Sequence, residues 1–311
     1  MTTIGIDLGG TKTLAVLVDQ GEVVAKAKRP TPRAGGPDAV LNTVVRVAEM
    51  VDPGGDAHAI GIGAPGPVVP GSGILPAAPN LPDWDHDVAV GEFVSERLGA
   101  RPVVVDNDVN VATLAEHRLG AGRGFDNMLG VFAGTGVGAG LILDGALRQG
   151  PRGLAGEIGH TFVAFRDLAD ASVGRGETED YAGRNSLERR VRASNDPDAA
   201  AILDLVKDGR LKSKAWSDAR AAANPLALCL LDDAAAALAT AIASAVVLLD
   251  IELVVLGGGF AERLGEEFRA RVEGEVMTRA FADTTAPVRA ARLGDVGGAL
   301  GAALLVEPAS R

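Results

Sequence analysis

Alternating apolar residues at the start of the chain predict a β-hairpin. Residues 4–18 read IGIDLGGTKTLAVLV, two apolar runs on either side of the turn Gly9-Gly10-Thr11-Lys12. The β-branched residues in both runs predict paired strands. Glycines let backbone N–H groups approach an anion, and here a hydroxyl and a cation follow them. The turn therefore suits a phosphate, and an ordinary hairpin turn is the alternative.

A second copy of this pattern occurs in the middle of the chain. Residues 129–143 read LGVFAGTGVGAGLIL, again two apolar runs around a turn, Gly134-Thr135-Gly136. The repeat predicts two related lobes whose turns face each other across a cleft and clamp a polyphosphate chain. The dinucleotide pattern does not fit, because the second turn does not lead into a helix, and the P-loop motif does not occur.

The remaining pattern alternates strands with helices, which predicts an α/β fold. Further strands are predicted over 22–28, 59–62, 103–105, 251–256 and 288–291. Helices are predicted over 38–51, 92–98, 111–119, 181–193, 198–208, 218–249 with a break near Pro225, 261–279 and 297–305.

Composition narrows the class of protein. The 311 residues suffice for two domains, and the net charge of −11 argues against a nucleic acid or an anionic membrane as the main partner. The single Cys229 excludes an internal disulfide and fits a reducing compartment. The uncharged stretch 234–249 is short for a membrane span and is predicted to be a buried core helix. The N-terminus enters a strand at once, with no signal-type segment.

Polar residues concentrate where predicted strands end. Residues 106–110 read Asp-Asn-Asp-Val-Asn between a strand and a helix. Helix capping needs one such residue, so four in five favour a binding crevice at the strand's carboxyl end. Asn80 lies in a long Gly/Pro-rich loop, where it is either functional or a turn former. Glu157 and His160 could share a metal or a substrate, or form a surface pair. The triple glycine 257–259 after a strand suits a flat ligand or a tight turn.

Taken together, these segments resemble the ROK family of sugar kinases and repressors, over essentially the whole chain. The family's fold is similar to that of actin, hexokinase and the Hsp70 ATPase domain, a ribonuclease H-like α/β fold with two lobes around a cleft. The matching segments are residues 7–12, 65–67 with 80–81, 107–110, 134–138, 157–160 and 257–259.

The resemblance implies ATP-dependent phosphorylation of a hexose hydroxyl, with glucose as the first expectation. Asp108 matches the general base, and a carboxylate near a helix N-terminus is expected to stay ionised. Asp7 resembles the carboxylate that holds Mg²⁺ through water. The matching sugar contacts are Asn80, Asn107, Asp108, Glu157, His160 and Glu179. The matching phosphate and adenosine residues are Gly9, Gly10, Thr11, Lys12, Gly134, Thr135, Gly136, Gly257, Gly258 and Gly259.

One departure from the family concerns a structural zinc site. Family members carry three cysteines that join the histidine in binding zinc, and the positions here are Asp170, Ser172 and Glu177. These residues are poor replacements for thiolates, so no structural zinc is expected. This departure therefore affects the expected sugar specificity more than the expected catalysis.

Several alternatives stay open. The sugar could be fructose, mannose, an N-acetylhexosamine or a less common one, and the donor could include polyphosphate. A repressor would carry a DNA-binding domain in front, whereas here the first turn begins near residue 7. A non-catalytic sugar-binding protein is disfavoured by the presence of Asp108 and Asp7. The resemblance also implies lobes at 1–120 plus 297–311 and at 121–296, a cytoplasmic location, and a homodimer.

Overall fold

Two five-stranded mixed sheets form the framework of the molecule. The structure is a computed structural model, and it describes residues 1–164, 174–281 and 286–307. The first sheet contains β1 (Thr3–Leu8), β2 (Lys12–Asp19), β3 (Glu22–Pro30), β4 (Ala59–Ala64) and β5 (Val103–Asn107). The second contains β6 (Met128–Ala133), β7 (Val137–Leu143), β8 (Ala146–Leu147), β9 (Leu253–Gly257) and β10 (Val288–Ala290).

Helices connect and cover the strands. Those of the first half are α1 (Gly36–Val51), α2 (Val90–Arg97) and α3 (Asp108–Arg118). Those of the second half are α4 (Thr178–Ala182), α5 (Arg184–Ala193), α6 (Ala199–Leu203), α7 (Ser213–Ala221), α8 (Pro225–Leu249), α9 (Ala261–Thr278) and α10 (Gly297–Leu304). Short 3₁₀ turns cover Ile158–His160 and Gly294–Val296.

The two sheets share one topology. The strand orders are β3-β2-β1-β4-β5 and β8-β7-β6-β9-β10, and in each sheet the first three strands along the chain are antiparallel while the last two run parallel to the central strand. The glycine turns of the sequence repeat connect β1 to β2 and β6 to β7. The predicted repeat is therefore confirmed at the level of strand order. The lobe boundaries at 120/121 and 296/297 stay a prediction.

Helices α3 and α10 are exchanged between the two halves. Helix α3 follows the first sheet along the chain but packs mainly on β6 and β7 of the second, whereas α10 follows the second sheet and packs on β1, β2 and β4 of the first. The two helices also pack against each other. This exchange places the N-terminus of α3 between the sheets.

Glycine makes the close helix packing possible. A Cβ at Gly61 of β4 would lie 1.7 Å from the carbonyl oxygen of Ala302, and a Cβ at Gly301 of α10 would lie 1.7 Å from that of Val111. Neither backbone could approach so closely with any side chain present. The central helix pair is therefore fixed by small residues.

Three predicted helices differ from the observed ones. The helix predicted over 218–249 begins earlier, at Ser213 of α7, and the break predicted near Pro225 is confirmed, because α7 ends at Ala221 and Pro225 begins α8 as an N-terminal proline. Asn224 caps α8, with its side-chain oxygen 2.9 Å from the Ala227 nitrogen. The predicted helix 181–193 divides at Gly183, and the predicted helix 198–208 ends at Leu203.

Helix α8 is long and apolar enough to cross a membrane, but most of its apolar window is buried inside the fold. Its inner face belongs to the core of the second half, together with the fully buried Trp216 and Phe260, whose rings meet edge to face at 6.2 Å. The predicted core helix is confirmed over this part of the chain.

Candidate active site

Asp108 lies at the first position of α3, where β5 ends between the two sheets. Its Oδ1 accepts a hydrogen bond from the Val109 nitrogen at 2.9 Å. Burial, the charge of Asp7 and the charge of Glu157 outweigh this bond and raise the pKa of Asp108 to about 7. The expectation that the helix N-terminus keeps Asp108 ionised is therefore corrected, because burial and two like charges favour the neutral carboxyl more than the helix N-terminus favours the charged one.

The influence of Asp7 and Glu157 on Asp108 also shows how the site is assembled. Asp7 is the last residue but one of β1 in the first sheet, and Glu157 precedes a 3₁₀ turn next to β7 of the second. Both charges act on the same carboxyl because the exchanged helix α3 brings Asp108 between them. Carboxyl groups from both halves therefore act on Asp108 where the two repeats meet.

Asn107 acts as the N-cap of α3. Its Oδ1 accepts hydrogen bonds from the nitrogens of Val109 and Asn110, and its Nδ2 donates to the carbonyl of Gly66 at 3.1 Å. The capping alternative considered for this cluster is therefore correct for Asn107. The same side chain ties the long loop after β4 to the start of α3.

Asp106 and Gln149 support the turn before α3; Asp106 belongs to the polar cluster noted in the sequence, whereas Gln149 was not selected there. Asp106 is buried and accepts hydrogen bonds from the Asn107 nitrogen, from Asn110 Nδ2, and from Gln149 Nε2 at 2.7 Å. Burial is the main cause that raises its pKa. Because Gln149 follows β8, this bond connects the second half directly to the turn before Asp108. Only the tertiary fold brings Gln149 there.

The first glycine turn is closed and carries a cation. The Gly9 nitrogen donates to the Lys12 carbonyl at 3.0 Å, and Thr31 Oγ1 donates to the Gly9 carbonyl at 2.6 Å. Lys12 Nζ lies 2.8 Å from Asp295 Oδ1, just before α10. Gly10 faces the main-chain carbonyl of Asn80, whose side chain is exposed. The predicted phosphate turn and the loop containing Asn80 therefore adjoin.

The second glycine turn contacts the start of α5. The Gly134 nitrogen donates to the Gly136 carbonyl at 2.8 Å, and the exposed Thr135 accepts a hydrogen bond from the Asn185 nitrogen at its carbonyl. Arg184 Nη2 lies 3.3 Å from Thr135 Oγ1. The turn itself contains no cation, so Arg184 supplies one. This residue was also missed in the sequence, where it lies 49 positions after Thr135.

The triple glycine lies against the second turn. A Cβ at Gly258, where φ is 90°, would lie 2.4 Å from the carbonyl oxygen of Ala133, the residue before Gly134. The same carbonyl accepts a hydrogen bond from the Phe260 nitrogen. The exposed Gly259 has open space at its Cβ position. The structure therefore brings the predicted adenosine residues, Gly257 to Gly259, next to a predicted phosphate turn.

Glu157, His160 and Glu179 lie together on the second half. Burial raises the pKa of Glu157, and the nearby His160 opposes this. Glu179 Oε2 accepts a hydrogen bond from the Val137 nitrogen at 2.7 Å, directly after Gly136. The predicted end of the sugar site thus touches the predicted phosphate turn. The His160 side chain is largely exposed, and its Nδ1 lies 2.9 Å from Glu177 Oε2.

The zinc site of the family does not fit the residues described here. His160 and Glu177 bind each other, and in residues 1–164, 174–281 and 286–307 there is no cluster of three or more His, Cys, Asp or Glu side chains able to hold a metal. Cys229 is exposed on α8. The other two positions aligned with zinc ligands, Asp170 and Ser172, lie outside the described residues.

The chain is similar to known sugar kinases over nearly its whole length. A glucokinase of Thermotoga maritima is 31% identical over 311 residues, covering 98% of this chain and 96% of the relative. An N-acetylgalactosamine kinase of Shewanella sp. is 32% identical, over 97% of this chain and 95% of the relative. A glucokinase from Streptomyces griseus, crystallised with glucose and AMPPNP, is 32% identical with a TM-score of 0.79 and covers 98% and 99% of the two chains.

The fold and the site together define an ATP-dependent sugar kinase with the actin- and hexokinase-like α/β fold. The family model described as "ROK family" matches residues 3–309. The chain belongs to the ROK family, as its glycine turns and the Asn107-Asp108 pair predicted.

Proposed function

We propose that this protein transfers the γ-phosphate of ATP to the 6-hydroxyl of glucose, with Asp108 as the general base. The position of Asp108 carries the proposal: it lies between the sheets, where a charge from each half acts on it. A base whose pKa lies near the working pH accepts a proton most effectively, because it is deprotonated yet still basic. The relatives named as glucokinases support glucose as the acceptor.

The residues around Asp108 divide the remaining work. We assign Asn80, Asn107, Glu157, His160 and Glu179 to the sugar hydroxyls, since neighbouring donors and acceptors discriminate between sugars that differ in one hydroxyl. Because the Asn107 side chain already caps α3, it binds a sugar hydroxyl only through the hydrogen bonds that capping does not use.

The two glycine turns hold the phosphates in this proposal. Gly9 to Lys12 and Gly134 to Gly136 present backbone N–H groups, Thr11 and Thr135 add hydroxyls, and Lys12 and Arg184 add charge. Lys12 exchanges its bond to Asp295 for a phosphate oxygen when the nucleotide binds. Gly257 to Gly259 accommodate the adenosine.

Asp7 fits a magnesium ligand. Its carboxyl is half-buried beside the start of α10, and burial raises its pKa to about 6 although Lys12 lowers it. A poorly solvated carboxylate oxygen near bound phosphates is the kind of ligand that Mg²⁺ accepts, directly or through water. The ion would supply positive charge to the transferring phosphoryl group.

Assembly and location complete the proposal. We infer a cytoplasmic homodimer that acts on a small sugar and binds neither nucleic acid nor membrane. The acidic net charge of −11 supports the exclusion of nucleic acid. The last turn of α8 exposes Val247, Leu248 and Leu249, and this apolar end supports a protein contact made by the second half.

A panel of sugars tests the function. Coupled ADP release is measured with glucose, mannose, fructose, N-acetylglucosamine, N-acetylgalactosamine and N-acetylmannosamine, using ATP and then polyphosphate as donor. We expect the highest kcat/KM with glucose and ATP, and a loss of about 10²- to 10⁴-fold in kcat for Asp108→Asn, which retains shape but not basicity. If an N-acetylhexosamine is the best substrate, glucose is not the preferred acceptor. If the wild-type protein and Asp108→Asn have equal rates, Asp108 is not the general base.

A further inference from the structure

The segments on either side of residues 165–173 are joined into a short antiparallel pair. The Thr178 nitrogen donates to the Thr161 carbonyl at 2.9 Å, and the Val163 nitrogen donates to the Gly176 carbonyl at 2.9 Å. The hydroxyls of Thr161 and Thr178 lie 3.0 Å apart. This pair, residues 160–164 with 174–178, connects the predicted sugar residue His160 to the segment that leads into Glu179.

Asp180 organises the second segment of the pair. Its Oδ2 accepts hydrogen bonds from the backbone nitrogens of Arg175, Gly176 and Glu177 at 2.7, 3.0 and 3.1 Å. Successive N–H groups that converge on one anion form a compact and specific backbone arrangement. Gly174 permits it, since a Cβ there would lie 2.1 Å from Asp180 Oδ1.

The carboxylate is shielded and charge-balanced. The Asp180 side chain is only 16% exposed, and Arg189 Nη2 lies 3.2 Å from its Oδ1. Hydrogen bonds to a charged acceptor are about twice as strong as neutral ones. Three of them in a shielded position therefore hold the turn firmly.

Two residues that closely precede Asp180 in the chain contact segments of the predicted site. Glu177 binds His160 at 2.9 Å, and Glu179 binds the Val137 nitrogen at 2.7 Å. A displacement of the 175–177 turn would therefore move His160, and a displacement of the start of α4 would move Glu179. Asp180 contacts the 175–177 turn through its carboxylate and lies in the first turn of α4, next to Glu179.

We propose that Asp180 is a positioning residue: it holds residues 174–178 against residues 160–164, a task that the zinc ion performs in the family. The part of the proposal that concerns sugar binding rests on the proposed function. A zinc ion would bind the side chains at positions 160 and 177. Here the side chains of His160 and Glu177 hydrogen-bond to each other instead. The anion at Asp180 ties the 175–177 turn through backbone N–H groups, with no metal.

Two substitutions and a matched control test this role. Asp180→Ala removes all four bonds, whereas Asp180→Asn keeps an acceptor but loses the charge. The control is Asp52→Ala, because Asp52 similarly accepts bonds from two loop nitrogens, at 2.9 and 3.1 Å, and pairs with Arg101 at 2.7 Å, far from the site in the first half. We measure kcat and the KM values for sugar and ATP, and hydrogen exchange of residues 160–164 and 174–178.

We expect Asp180→Ala to raise the sugar KM about 10- to 100-fold, the range seen when supporting residues of a site are lost. Asp180→Asn should give a smaller rise, and Asp52→Ala none. The ATP KM should change little, and hydrogen exchange in the antiparallel pair should speed up only in the Asp180 variants. A sugar KM and an exchange rate for Asp180→Ala equal to those of Asp52→Ala would overturn the proposal.

Metal analysis provides an independent decision. We expect purified protein to contain no zinc, and a zinc-selective chelator with excess Mg²⁺ to leave the sugar KM unchanged. One tightly bound zinc per chain would overturn the proposal. If the wild-type protein phosphorylates no sugar, the proposed function fails, whereas the exchange measurement still decides whether Asp180 holds the loop.

Discussion

The substitution Gly301→Ala tests the packing of the exchanged helices. Gly301 lies within α10, so alanine gains about 0.5–1 kcal/mol of intrinsic helix stability. Its Cβ would lie 1.7 Å from the Val111 carbonyl oxygen, whereas ordinary contacts begin at 3.4 Å, so α3 and α10 must separate by up to about 1.7 Å. Overpacking of a core costs about 1–3 kcal/mol. We therefore expect a net loss of stability despite the better helix former.

Gly274→Ala is the matched control. Gly274 lies within α9, is exposed, and has open space at its Cβ position, so only the gain in helix stability applies. Denaturant unfolding should show this variant more stable than wild type by about 0.5–1 kcal/mol and Gly301→Ala less stable. Val111 lies three residues after Asp108, so a displacement of α3 at Val111 also displaces Asp108. Because a shift of about 1 Å in a catalytic group lowers the rate by about 100-fold, Gly301→Ala should also lower kcat.

If Gly301→Ala is as stable as Gly274→Ala and retains wild-type kcat, the close approach of α3 and α10 does not fix the position of Asp108. A loss of stability with unchanged kcat would separate the two effects and leave only the packing argument.

Two further predictions concern charge in the site. Because the pKa of Asp108 is raised to about 7, the base is lost by protonation as pH falls, and kcat/KM should fall about tenfold per pH unit below that pKa. Asp7→Asn removes one raising charge and should move this limb to lower pH; a rate that is flat from about pH 5 to about pH 8 would contradict the assignment. Arg184→Ala should raise the ATP KM about tenfold and leave the sugar KM unchanged, because Arg184 contacts Thr135; the opposite pattern would refute its assignment to the phosphates.

The sequence determined the local elements and the family. The alternating strands around two glycine turns predicted both hairpins and their repetition, because side-chain alternation and glycine turns are local properties. The same reasoning located Asp108 at the junction of a strand and a helix. It also predicted the interruption near Pro225, but not whether the proline kinks one helix or begins a new one, since both have the same local pattern.

Only the tertiary structure decided which residues meet and how they ionise. The exchange of α3 and α10 brings Asp7 and Glu157 to Asp108, so burial and like charges raise a pKa that the local sequence suggested would be low. Gln149, Arg184 and Asp180 act on groups that come close through folding or through the exact path of a turn. Electrostatic energies depend on distance and solvation, and neither quantity is written in the order of residues along a chain.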